Sequence, residues 1–121
     1  MDLPKRIQER RQAVRIQETL PFVIGHEGYE IEAQTINIST HGVMCIVSRD
    51  IPMMTQLKIA LTLPKFGKNK TSTKTLKVRG VVVRKEKDEV AGKIFIAIFF
   101  NDLKHEDSTI LREFIEHRLN Q

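Results

Sequence analysis

The sequence predicts a mainly β fold, a small six-stranded antiparallel barrel capped by a C-terminal amphipathic helix. Three observations point there. "QLKIALTLP" (56–64) alternates Leu57, Ile59, Leu61 and Leu63 with Lys58, Ala60 and Thr62, the period-two signature of a strand with one buried face. Further β-branched runs follow one another with turn residues between them, the spacing of an all-β domain. Helical periodicity dominates in one place only, at the C-terminal end of the chain.

In chain order, "VRIQETLPFVIG" (14–25) and "YEIEAQTINIS" (29–39) read as the first two strands, joined at the "GHEG" turn. "GVMCIVS" (42–48) is the third and "QLKIALTLP" the fourth. A Lys/Thr/Ser-rich loop is expected at 67–75. "TLKVRGVVVRK" (75–85) and "IFIAIFF" (94–100) form the last two strands, paired antiparallel across "EKDEVAGK", whose charges and Gly92 mark a hairpin turn. In "HEDSTILREFIEHRL", Ile110, Leu111, Phe114, Ile115 and Leu119 recur at helical spacing, and Glu106 and Asp107 stand near the positive end of the helix dipole. No repeat interrupts this order.

A chain of 121 residues, 40% hydrophobic and 29% charged, has the size of one domain with a self-sufficient core. Its single cysteine, Cys45, lies in an apolar run, which favours a reducing compartment over secretion. No stretch approaches the length of a membrane span and no apolar segment follows the charged N-terminus, so a soluble, cytoplasmic protein is expected. The net charge of +5 is concentrated in two zones. Residues 1–15 carry Lys5, Arg6, Arg10, Arg11 and Arg15 against Asp2 and Glu9. Residues 65–85 hold Lys65, Lys68, Lys70, Lys74, Lys77, Arg79, Arg84 and Lys85 with no acidic residue. Clustered charge of this kind suits an anionic partner.

Two short motifs stand out. Arg11 and Arg15, four apart in "RQAVR", share a face in either a helix or a strand, and a guanidinium fork matches both phosphate oxygens and the O6/N7 edge of guanine. "NISTHG" (37–42) places Asn37 and Ser39 on one side of an extended chain, with Gly42 free to take a positive φ and admit a ligand to the backbone. The same segment would also serve as an ordinary Asx or Ser/Thr corner, with His41 either a ligand contact or a solvent-facing turn residue.

With RxxxR at 11–15 and [DN]xSxxG at 37–42 in this order, a predicted hairpin between them and a helix after "IFFNDL", the chain resembles the PilZ family of bacterial cyclic diguanylate-binding domains. The resemblance implies a PilZ-type barrel with a C-terminal helix, in agreement with the reading of the strands. It implies that Arg11 and Arg15 grip phosphate and guanine, that Asn37 and Ser39 meet a guanine edge, and that Gly42 shapes the turn. Many family members carry Asp where this chain has Asn37, which offers one acceptor oxygen instead of two and implies a weaker guanine contact. Arg10, directly before RxxxR, implies two ligands per chain in an intercalated pair. Neither a metal nor an organic cofactor is expected, and the downstream protein partner is not readable.

Residues 1–12 are expected to form a basic arm beside a single domain at 13–121. Their only strongly apolar side chains, Leu3 and Ile7, bury too little area to offset about 1–2 kcal/mol per residue of backbone ordering, so ligand is expected to order the arm. Catalysis is not expected. His26, His41, His105 and His117 lack close metal-ligand spacing, and no nucleophile motif or phosphate loop is present. Two other binding readings fit parts of the pattern: a small basic barrel for nucleic acid, which explains the charge but has few aromatic candidates for stacking, and a protein-interaction adaptor of the same fold that has no use for nucleotide.

Overall fold

The computed structural model describes residues 14–66 and 71–120. These form β1 (Ile16–Gln17), β2 (Phe22–His26), β3 (Tyr29–Ile38), β4 (Gly42–Val47), β5 (Gln56–Phe66), β6 (Thr71–Asp88), β7 (Lys93–Asp102) and the helix α1 (His105–Leu119). Every pairing is antiparallel. β2 pairs with β3, β3 with β4, β4 with β7, β7 with β6, β6 with β5, and β5 returns to β2, so six strands close a barrel. The short β1 lies along the far end of β3. The expected fold class is the observed one.

Alternation explains why the barrel closes. Ile24, Ile38, Val43, Leu61, Leu63, Leu76, Val82 and Ile96 are completely buried, and along β5 the intervening residues Lys58, Ala60 and Thr62 are exposed or half-buried. From α1, Leu111, Phe114 and Ile115 enter the same core, each contributing roughly 1.5–3 kcal/mol of burial. α1 rests on β5 and β1. Its last turn is tied back by Arg118, whose Nε stands 3.2 Å from Glu18 Oε2, with both side chains largely buried. Leu119, expected on the apolar stripe, is instead 52% exposed, because the helix ends there and its last turn presents Arg118 to Glu18.

Three further local expectations are corrected. The first expected strand is two, β1 and β2, interrupted at Glu18–Pro21, where Pro21 has no N–H for a ladder. Buried Thr35 takes over the missing pairing: its hydroxyl accepts from the Leu20 N–H (2.8 Å) and donates to the Glu18 carbonyl (2.7 Å). The expected loop at 67–75 is shorter, since Thr71 to Thr75 continue β6, pairing with Phe66 to Thr62 of β5. The Thr62 and Thr75 hydroxyls lie 3.0 Å apart. The strand before the last hairpin likewise runs on through Asp88, whose carboxylate accepts from the Ala91 N–H at 3.1 Å. The β2–β3 turn is as short as the sequence suggests, with Glu27 and Gly28 both at positive φ (52° and 81°), the backbone required by a tight two-residue hairpin.

Candidate functional site

The two motifs meet where β1 runs beside the end of β3. Ile16 pairs with Ile38 and Gln17 with Asn37. Because Ile16 and Ile38 point into the core, alternation turns Arg15, Gln17 and Asn37 to the outer face. Continuing the register one step sets Arg15 opposite Ser39. From there the Arg15 guanidinium reaches diagonally, and its Nη1 donates to Asn37 Oδ1 at 2.6 Å. Partial burial lowers the Arg15 pKa from its ordinary value, yet an arginine keeps its charge at neutral pH.

A β-bulge helps to place Asn37. In the β3–β4 ladder Thr35 faces Cys45 and Asn37 faces Met44, so Ile36 is the extra residue between them. Such a bulge bends the strand and re-aims the next side chain. Asn37 therefore follows a local feature that Thr35, pinned by its two hydrogen bonds, holds in place.

Beyond Ile38 the chain turns sharply into β4. Ser39 is wholly buried, and its hydroxyl accepts from the His41 N–H at 3.1 Å, while the Ser39 N–H donates to the Gly42 carbonyl at 2.9 Å. In this arrangement the serine holds the corner. The expectation of a positive φ at Gly42 is corrected: among the described residues the glycines at positive φ are Gly28 and Gly92. Gly42 is needed for another reason. A Cβ there would stand 2.3 Å from the Ile98 carbonyl oxygen of β7, so the tight β4–β7 approach excludes any side chain. His41 is exposed, with Nδ1 3.2 Å from the Thr40 hydroxyl, and its carbonyl accepts from the Phe100 N–H at 2.8 Å.

The result is an outer surface at one end of the barrel that carries the Arg15 cation bonded to the Asn37 amide oxygen beside a backbone corner held by Ser39. Arg10 and Arg11, and with them the whole expected arm at 1–12, lie outside the described residues. Thr35 is the residue that motif reading misses. Thr35 carried a signal, a lone hydroxyl at a core-facing position of an otherwise apolar alternation.

Buried Cys45 on β4 has its thiol pushed up to about 12 by desolvation, which removes it as a nucleophile. Among the described residues no three His, Cys, Asp or Glu side chains are placed to hold a metal ion, and no helix is long and apolar enough to cross a membrane.

Comparison with known proteins agrees with this architecture. The solved structure of the Bacillus subtilis inhibitor of motility MotI/DgrA is similar over 93% of this chain, with a TM-score of 0.77 and 24% sequence identity. The similarity covers 53% of that protein, so the present chain spans about half its length. No curated protein matches. A family model for the PilZ domain matches residues 9–117, a span that takes in both motifs, the whole barrel and nearly all of α1, and the chain belongs to the PilZ family, whose domains bind and adapt rather than catalyse.

Proposed function

We propose that this chain is a receptor domain for cyclic diguanylate in the bacterial cytoplasm. The observation that carries the reading is the 2.6 Å bond from Arg15 to Asn37, which joins the two motifs on one outer face. Cyclic diguanylate has two phosphate charges and two guanines. Arg15 offers a charge-assisted donor to the first and a planar face to the second, roughly doubling the strength of a neutral contact. Asn37 Oδ1 retains a second lone pair for a guanine N–H, and its amide donors face the acceptor edge. Ser39 and Gly42 fix the corner on which the base is read. Arg10 and Arg11 supply two further guanidinia for the phosphates, and the third supports an intercalated pair of ligands.

Binding also couples to the arm. Phosphate neutralises Arg10, Arg11 and Arg15, removes their mutual repulsion and ties residues 1–12 across the site, presenting a new surface to a protein partner.

The test compares calorimetric affinities for cyclic diguanylate of Arg15→Ala and Lys74→Ala. Arg15→Ala is expected to weaken binding about 10- to 100-fold, the loss of a charge-assisted bond of roughly 1.5–3 kcal/mol. Lys74→Ala should produce a small change that fades above about 0.15 M salt, where screening acts within roughly 8 Å. Loss of binding in the lysine variant with Arg15→Ala unaffected would favour nucleic-acid binding through the basic zone.

A further inference from the structure

We propose that the outer wall formed by β2, β5 and β6 is a docking surface for an acidic segment of a protein partner. Gly25 of β2 faces Lys58 of β5, Lys58 faces Arg79 of β6, and Val23 and Ala60 lie in the next row with Lys77. Gly25 and Ala60 have almost no side chain, so the wall sinks between the longer residues into a concavity of about 490 Å³. Lys58, Lys77, Arg79 and Lys104 rim it. All four are exposed.

Its charge pattern selects the occupant. Four cations are accompanied by Glu30 and Asp102, which leaves an excess of two positive charges. Asp102 Oδ2 is 3.9 Å from Arg79 Nε, a long contact between two well-exposed side chains, and such pairs are easily exchanged for a better partner. A phosphate backbone would meet repulsion from Glu30 and Asp102, and the residues lining the concavity include no aromatic ring on which a base could stack. A protein segment suits both signs: carboxylates for the cations, and an apolar side chain for the floor of Val23 and Ala60, where Val23 is 40% exposed. Lys77 and Arg79, two residues apart on one strand face, stand roughly 6–7 Å from each other. Glutamates one helical turn apart, or two apart in an extended segment, have the same spacing.

The ring order gives this surface its place in the molecule. In the closed ring β6 is opposite β3 and β5 is opposite β4, and where the concavity reaches β3, at Glu30, it is seven residues, about 23 Å, along the strand from Asn37, so the wall is separate from the Arg15–Asn37 face. A partner held there leaves that face open. The proposal is therefore independent of what the motif face binds.

The experiment is fluorescence anisotropy of the full chain with a labelled amphipathic peptide carrying glutamates at i and i+4 and leucines between them, alongside single-stranded and duplex DNA of equal charge. Saturable peptide binding is expected, weakened about tenfold or more by Lys58→Glu and by Arg79→Glu, with Lys93→Glu at the start of β7 as a variant that leaves it unchanged. Thermal melts of each variant establish that it is folded. Absence of peptide binding by the wild-type chain, an equal loss in Lys93→Glu, or DNA binding that is tighter than peptide binding and removed by the same two variants would overturn the proposal.

Discussion

Replacing Gly42 by alanine should damage the fold before it touches any ligand. The added Cβ would lie 2.3 Å from the Ile98 carbonyl oxygen, and 3.3 and 3.4 Å from Ile98 C and Phe99 Cα, all of them backbone atoms of β7. No side-chain rotation relieves such a contact. β4 or β7 must move, and Gly42 is paired with Phe99 at the start of a six-step ladder from Gly42↔Phe99 to Val47↔Ile94. Overpacking of this kind costs about 1–3 kcal/mol, and moving Gly42 also strains the bond from the Ser39 N–H to its carbonyl, worth roughly 0.5–1.5 kcal/mol. The combined loss of about 2–4 kcal/mol corresponds to a fall in Tm of roughly 8–20 °C for a domain of this size. Differential scanning calorimetry of the two proteins measures it. A Gly42→Ala protein melting at the wild-type temperature would refute the argument that close strand approach is what demands glycine here.

Thr35→Val keeps the shape but removes the hydroxyl that serves the Leu20 N–H and the Glu18 carbonyl; with two buried groups unpaired, urea denaturation should show a loss of about 2–4 kcal/mol, whereas a loss below that of a single bond would mean that water replaces the hydroxyl. Asn37→Asp supplies a second acceptor oxygen and an ion-pair partner for Arg15, so cyclic diguanylate should bind several-fold more tightly, as read by calorimetry, with unchanged or weaker binding counting against Asn37 as the guanine reader. Cys45 should resist a thiol reagent at pH 8 in the native chain and react at once in denaturant. Its folded pKa, about 12, lies above the unfolded value near 8.5, so its contribution to stability is intact below about pH 8.5 and is lost as pH rises from there towards 12, a decline that Cys45→Val should remove.

Much of the fold is legible because period-two alternation reports which face of a strand is buried, and "QLKIALTLP" turns inward the leucines and isoleucine it suggests. What escapes is long-range. The break at Glu18–Pro21 depends on Thr35 of another strand, the continuation of β6 through Thr71–Thr75 depends on a partner strand supplying the ladder, and Leu119 is exposed because its helix ends there. Threonine-rich, lysine-rich sequence reads as loop until a neighbouring strand pairs with it. At the site, the motifs announce their residue types and their shared location. The roles are set by tertiary contacts: Gly42 answers to Ile98 across the sheet, and Ser39 spends its hydroxyl on the corner.

The central claim, that the joined Arg15–Asn37 face receives cyclic diguanylate, is tested most directly by calorimetric titration of that nucleotide into the whole chain. Saturable, exothermic binding is expected, with an inflection near two ligands per chain, falling towards one in Arg10→Ala and greatly weakened in Arg15→Ala. A titration with no binding heat, in a protein whose melting temperature cyclic diguanylate also leaves unmoved, would contradict it.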